Sequence, residues 1–100
     1  MRTILCYGDS NTWGYNPDGS GRFPKHIRWT SVLQKELGEN FDVIPEGLNG
    51  RTTVWDDPVK GEYRNGKKYL LTCLHTHKPL DLVILFLGSN DLKPRYNVTR

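Results

Sequence analysis

The sequence predicts an α/β fold with a parallel sheet, from the order of its apolar segments and their periodicity. Residues 3–7 and 81–87 are short apolar runs typical of strands, whereas residues 28–37 and 66–76 carry apolar side chains at helical spacing. Residues 41–46 form a weaker strand candidate between the two predicted helices. The resulting alternation of strands and helices implies right-handed crossovers and parallel pairing.

Each predicted helix has one apolar face and a clear stop signal. Gly38 follows the first helix and Pro79 follows the second, and both residue types commonly end helices. The apolar faces are formed by Trp29, Val32, Leu33 and Leu37 in the first helix, and by Tyr69, Leu70, Cys73, Leu74 and His77 in the second.

The remaining segments divide into strands of different burial and irregular connections. Residues 11–27 are rich in glycine and proline and are predicted to form a long loop, and residues 47–65 an irregular connection with one helical turn. Pro45 favours an edge position for strand 41–46. Strand 81–87 is predicted to be buried on both faces, yet no helix follows it within residues 1–100. We therefore expect the chain to be the N-terminal portion of one larger domain, or to complete its sheet with a second copy as a homo-oligomer.

Composition and charge argue against several classes of function. The 14 basic and 11 acidic residues give a net charge of +3, and the basic residues are scattered, so no nucleic-acid face is predicted. No apolar run approaches the ~20 residues of a membrane span, and the N-terminus lacks a signal-peptide pattern, so we expect a cytoplasmic protein without a membrane partner. The cysteines, Cys6 and Cys73, lie in a predicted strand and helix and are expected to be buried free thiols.

Small polar clusters follow the predicted strands and are the candidate functional site. Gly8-Asp9-Ser10 follows the first strand, Gly50 lies beyond the second, and Gly88-Ser89-Asn90-Asp91 follows the last. Ligands of open α/β sheets bind outside the carboxyl ends of the strands. Ser10 is therefore a candidate nucleophile, and the N–H groups of Ser10 and Gly50 with the Asn90 amide are candidate oxyanion donors. Taken alone, Gly8-Asp9-Ser10 is equally compatible with an ordinary turn.

These clusters, in this order, resemble the first three sequence blocks of the GDSL/SGNH hydrolases. The segments 28–30, 46–48, 51–53 and 79–84 are similar to the bacterial arylesterase/acyltransferase branch of that family. The resemblance implies a flavodoxin-like α/β/α fold with a five-stranded parallel sheet, of which residues 1–100 supply three strands. It implies catalytic roles for Ser10, Gly50 and Asn90, and a structural role for Asp9. We expect Asp91 to anchor the loop after the third strand.

Two departures from the family pattern affect the predicted site. Asn11 stands where leucine is common, which places a polar group beside the nucleophile; Trp13 and Trp55 are candidate pocket walls, although core packing is an equal alternative for a tryptophan. The family's Asp-x-x-His, which supplies the general base and its carboxylate, does not occur in residues 1–100.

The three histidines do not replace the missing base. His26 lies in a predicted loop with nothing to fix its geometry, and His75 and His77 point to different sides of a predicted helix. We therefore predict no metal site, and we expect His77 to pack or cap the helix end.

The favoured function is a serine esterase or acyl transferase that acts on a small ester and needs no cofactor. The alternative is an inactive α/β binding or assembly module that keeps the crevice but lacks the base. A nucleotide or flavin binder is disfavoured, because neither Gly-x-Gly-x-x-Gly nor a P-loop pattern occurs in the sequence.

Overall fold

A three-stranded parallel sheet organises the chain in the computed structural model, which describes residues 1–98. The central strand is β1 (Arg2–Gly8), which pairs with β4 (Phe41–Gly47) on one side and β5 (Leu82–Phe86) on the other. Gly8 lies opposite Gly47 in one pair and opposite Phe86 in the other. The three strands therefore end at the same edge of the sheet, which is the arrangement expected from the sequence.

Two helices cover opposite faces of this sheet. The first face packs α2 (Trp29–Leu37) against Ile4, Cys6 and Val43, and the second packs α3 (Gly66–His77) against Leu5 and Tyr7. Successive residues of a strand point to opposite faces, so β1 supplies both cores. Ile4, Leu5, Cys6 and Tyr7 are all buried, which makes β1 the best-shielded strand of the three.

Both helices lie where the periodicity predicts them, with one exception on the first apolar face. Trp29, Leu33 and Leu37 pack on the core as predicted. Val32 was expected on that face, but it is 46 % exposed. Helical spacing places it at the border of the stripe, where a small lateral shift of the helix leaves it in solvent.

The prediction of one long loop over residues 11–27 is wrong. This segment contains most of a short helix, α1 (Ser10–Trp13), a two-stranded hairpin of β2 (Tyr15–Asn16) and β3 (Gly21–Arg22), and a 3-10 turn at Lys25–Ile27. Glycines lie at the ends of these short elements. Gly14, for example, ends α1 in the left-handed conformation, with a φ of 98°.

Strand β5 also departs from the prediction. It was expected to be buried on both faces, but within residues 1–98 it is an edge strand, and Leu82, Leu85 and Phe86 are 46–58 % exposed. An apolar run predicts burial without saying which segment supplies the cover. The edge position predicted for the strand that contains Pro45 is confirmed, because β4 pairs only with β1 in the described sheet.

The helices of residues 1–98 are too short and too polar to cross a membrane.

Candidate active site

Ser10 lies at the first position of α1, immediately beyond the end of β1. Asp9 is the N-cap residue: its carboxylate accepts a hydrogen bond from the Asn11 N–H (3.0 Å), and only 1 % of the residue is exposed. The Asp9 carbonyl accepts from the N–H groups of Thr12 and Trp13. These hydrogen bonds fix the backbone before and after Ser10.

Two glycines at the strand ends make room for this turn. A Cβ on Gly8 would lie 2.1 Å from the Thr12 hydroxyl oxygen, and one on Gly47 would lie 2.3 Å from the Trp13 nitrogen. Contacts that short do not occur between real side chains and backbone, so glycine is required for α1 to sit directly on the ends of β1 and β4.

Gly50 lies in the loop that follows β4 and has a φ of 77°. The guanidinium of Arg64 packs against its Cα: a Cβ at this position would be 2.5 Å from the guanidinium carbon. Both observations restrict the position to glycine. A glycine here also lets the backbone approach a ligand without a Cβ in the way.

Asn90 connects the third loop to the second. Its Nδ2 donates a hydrogen bond to the carbonyl oxygen of Arg51 (3.0 Å), the residue after Gly50. A side-chain amide carries two N–H donors, so one remains for another acceptor while the first holds the loop.

Asp91 strengthens the same connection. One carboxylate oxygen accepts from the Thr53 N–H (3.0 Å), and the other accepts from the Thr53 hydroxyl. Asp91 is buried, with 8 % of its surface exposed. Asn90 and Asp91 together attach the loop after β5 to residues 51–53.

Arg51 ties the second loop to the first. Its Nη1 donates to the carbonyl oxygens of Gly8 (3.1 Å) and Glu46 (2.7 Å), and its guanidinium lies 4.1 Å from the Tyr7 ring centre. Burial raises the pKa of Tyr7 to about 12 despite the opposing effect of this cation. Tyr7 therefore remains neutral and supports the guanidinium with its ring, while its hydroxyl donates to the Gly66 carbonyl (2.6 Å).

The residues predicted to line a substrate pocket have different surroundings. Asn11 is exposed on α1, and Trp13 is half-buried beneath the Arg22 guanidinium, 4.4 Å from its ring centre. Trp55 is 41 % exposed, and its backbone N–H donates to the Thr52 hydroxyl (3.0 Å). His26 is exposed in the 3-10 turn and lines a groove with residues of α2 and β4.

Glu46, Cys73 and His77 form the one group of three potential metal ligands found in residues 1–98. His77 Nε2 lies 2.6 Å from a Glu46 carboxylate oxygen, which is a hydrogen-bond distance. Burial, followed by the nearby Glu46 charge, raises the pKa of the Cys73 thiol to about 11. The cluster is thus a hydrogen-bonded pair beside a protonated thiol. His77, which was expected to pack or cap the helix end, therefore packs against Glu46 of β4.

Sequence reasoning indicated that Asp91 anchors the loop after β5, but it missed the buried charged side chains Arg51, Asp57 and Arg64. Arg51 and Asp57 are almost fully buried, and Arg64 is largely buried, although charged side chains are rarely interior. For Arg51, its place directly after Gly50 was the available signal. No local pattern pointed to Asp57 or Arg64.

Three loops follow the strand ends and are bound to one another through Arg51, Asn90 and Asp91. They define a class of α/β protein with a candidate site at the carboxyl edge of a parallel sheet. The sequence profile of the GDSL-like lipase/acylhydrolase family matches residues 6–100. The chain belongs to this family.

Solved structures show the same fold at high similarity. A carbohydrate acetylesterase family member from Sinorhizobium meliloti is 61 % identical with a TM-score of 0.90, and the match covers 94 % of this chain and 44 % of that one. The aryl esterase of M. smegmatis is 50 % identical with a TM-score of 0.94, covering 99 % of this chain and 47 % of that one.

A more distant relative, the SGNH-hydrolase family esterase AlinE4, is 28 % identical with a TM-score of 0.67, covering 92 % of this chain and 42 % of that one. The flavodoxin-like α/β architecture and the resemblance to the arylesterase branch are thereby confirmed. The chain spans about half the length of these structures. No curated protein sequence matches it.

Proposed function

We propose that the protein is a serine esterase or acyl transferase with Ser10 as its nucleophile. The observation that carries this proposal is the joining of three loops at one sheet edge: Arg51 donates to Gly8, and Asn90 donates to Arg51. This arrangement supports a shared site for a strand-end serine, a glycine N–H and a side-chain amide, which are the groups that acyl transfer requires.

In the proposed reaction, the Ser10 hydroxyl oxygen attacks the ester carbonyl carbon and its proton passes to a general base. The tetrahedral oxyanion accepts hydrogen bonds from the N–H groups of Ser10 and Gly50 and from Asn90 Nδ2. Collapse releases the alcohol, which takes the proton, and leaves an acyl-Ser10 ester. Water or another acceptor then attacks this ester and frees Ser10.

The base and its orienting carboxylate belong, in this proposal, to the family's Asp-x-x-His, which does not occur in residues 1–100. The full-length protein is therefore the species expected to turn over. Loss of the base in a serine protease lowers kcat on the order of a millionfold, so residues 1–100 alone are expected to show no more than residual hydrolysis.

We propose small esters as substrates, with an acetyl or similar short acyl group on an aryl or carbohydrate alcohol. The relatives whose structures match are an aryl esterase and a carbohydrate acetylesterase family member, and this supports both alcohol classes. Asn11, Trp13 and Trp55 are proposed to shape the pocket, and no cofactor enters the reaction.

We propose the cytoplasm as the compartment of this protein, and two unpaired cysteines are compatible with it. Cys6 and Cys73 are free and fully buried in cores on opposite faces of the sheet, so each packs as a small apolar side chain.

The test combines a fluorophosphonate probe with the Ser10→Ala variant of the full-length protein. We expect one phosphonyl adduct on Ser10 by intact and peptide mass spectrometry, and loss of p-nitrophenyl acetate hydrolysis in the variant with its circular dichroism spectrum unchanged. Turnover that survives Ser10→Ala would remove Ser10 from the mechanism. A folded wild-type protein with neither adduct nor turnover would instead indicate a binding or assembly module.

A further inference from the structure

A buried ion pair lies directly behind Gly50. The Arg64 guanidinium that packs on Gly50 donates from Nη1 to a carboxylate oxygen of Asp57 (3.2 Å). The Asp57 side chain is fully buried, and 15 % of the Arg64 side chain is exposed. Removing charged groups from water is costly, so a pair kept here needs a compensating arrangement of hydrogen bonds.

Asp57 has that arrangement. One carboxylate oxygen accepts from the N–H groups of Val59 (2.8 Å) and Lys60 (3.0 Å), and the other faces both Arg64 and Arg95 (3.3 Å). Burial by itself raises the pKa of Asp57, but the two N–H groups, the nearby Tyr96 hydroxyl and the Arg95 charge outweigh it and hold the pKa well below its usual range. Asp57 therefore stays ionised and keeps Arg64 in place.

Arg64 contacts the segment after β4 through its backbone as well. Its carbonyl oxygen accepts from the Thr52 N–H (2.7 Å), and the Gly66 N–H donates to the Thr52 carbonyl (2.9 Å). The Arg64 guanidinium thus packs on Gly50, while the Arg64 carbonyl is hydrogen-bonded to Thr52, two residues after Gly50. This leaves the Gly50 peptide little freedom to rotate.

We propose that Asp57 and Arg64 are positioning residues for acyl transfer, which act by fixing the direction of the Gly50 N–H. The inference rests on the proposed function of Gly50 as an oxyanion donor. Neither side chain touches the substrate in this proposal. An oxyanion donor works only when its N–H is already aimed at the oxygen of the transition state, so a loosened peptide lowers kcat more than it changes substrate binding.

The decisive variant is Asp57→Asn in the full-length protein. Its Oδ1 can still accept from the Val59 and Lys60 N–H groups, so the turn is retained, but its NH₂ then faces the Arg64 and Arg95 guanidinium groups, which can only donate, so the ion pair with Arg64 is lost. Arg64→Lys is the complementary variant: it keeps a positive charge for Asp57 and removes the planar group that packs on Gly50. Asp56→Asn is the matched control, because Asp56 pairs with Lys68 at the surface and is half exposed.

For Asp57→Asn and Arg64→Lys we expect kcat for p-nitrophenyl acetate to fall about 10- to 100-fold, with KM changed by less than about twofold. The rate of fluorophosphonate labelling of Ser10 should fall in parallel, and Asp56→Asn should match the wild type. Wild-type kcat and labelling rates in both variants, with only a lower Tm, would overturn the proposal by reducing the pair to a structural role. If Asp57→Asn does not fold, Arg64→Lys alone decides. A wild-type protein that neither hydrolyses the ester nor reacts at Ser10 would refute the proposed function itself.

Discussion

Single side chains link the three strand-end loops of this protein, and most of them are polar and buried. Arg51 spans the first two loops, and Asn90 and Asp91 attach the third. Each contact joins residues far apart in sequence, so removing one partner both loosens a loop and leaves a buried polar group unsatisfied. Function and local rigidity are therefore expected to be lost together at these positions.

Asn90→Ala tests this coupling. The substitution removes the hydrogen bond to the Arg51 carbonyl and the proposed side-chain oxyanion donor, so kcat of the full-length protein is expected to fall about 100- to 1,000-fold. Steady-state hydrolysis of p-nitrophenyl acetate measures it. Asn40→Ala is the control, because Asn40 is exposed where β1 and β4 begin, at the opposite edge of the sheet. Equal kcat values for the two variants would contradict a role for Asn90.

The lowered pKa of Asp57 predicts that the folded state loses stability at acid pH. The folded pKa of Asp57 lies below the ordinary value of 3.8, so the ionised carboxylate stabilises the folded state above that pH. This contribution is expected to be complete above about pH 5 and to diminish as the pH falls through and below 3.8. Urea unfolding at pH 6 and pH 3.5 measures the change, and Asp57→Asn should show a smaller one. An identical pH dependence in wild type and variant would show that Asp57 does not cause this loss of stability.

At the scale of elements, the sheet is held by β1 and by one face of each helix. Strand β1 contributes alternate side chains to both cores, whereas α2 and α3 each contribute a single stripe. Leu33 and Val32 are neighbours on α2, yet only Leu33 packs on the core. Substitutions of these two apolar residues therefore compare a core-facing position of α2 with a solvent-facing one.

Leu33→Ala is expected to lower the free energy of unfolding by about 2 kcal/mol or more, because it leaves a cavity beside Ile4 and Val43. Val32→Ala should change it by less than about 0.5 kcal/mol, since its side chain is already half in solvent. Chemical denaturation of both variants of the full-length protein gives the comparison. A larger loss for Val32→Ala would mean that the described face of α2 is misplaced.

At the scale of the whole molecule, residues 1–98 leave the β5 edge of the sheet without a neighbouring strand. Leu82, Leu85 and Phe86 of β5 are exposed, and β5 has a free edge in the described part of the chain. A free, apolar edge strand favours pairing with another chain. The proposal of a homo-oligomer rests on that surface, and it concerns residues 1–100 by themselves.

The 100-residue chain expressed by itself is expected to associate or aggregate with rising concentration. Multi-angle light scattering over a dilution series measures its mass. Leu85→Lys, which places a charge on the exposed strand, should reduce the association, whereas Leu71→Lys on the exposed side of α3 should not. A stable monomer at high concentration would remove the basis for the homo-oligomer proposal.

The sequence by itself determined the alternation of strands and helices, the parallel sheet, the family and the three strand-end clusters around Ser10, Gly50 and Asn90. These features are local: hydrophobic period, helix stops and small residues directly after a strand are visible in a short window. Only the tertiary structure decided how the clusters are joined, which strand is central and where the charges of residues 51–64 lie. Asp57 and Arg64 resemble surface residues in any local window, because their burial depends on tertiary contacts, and for Arg51 the only local signal was its place directly after Gly50. The short elements within residues 11–27 were missed because glycine and proline mark breaks without showing what forms between them.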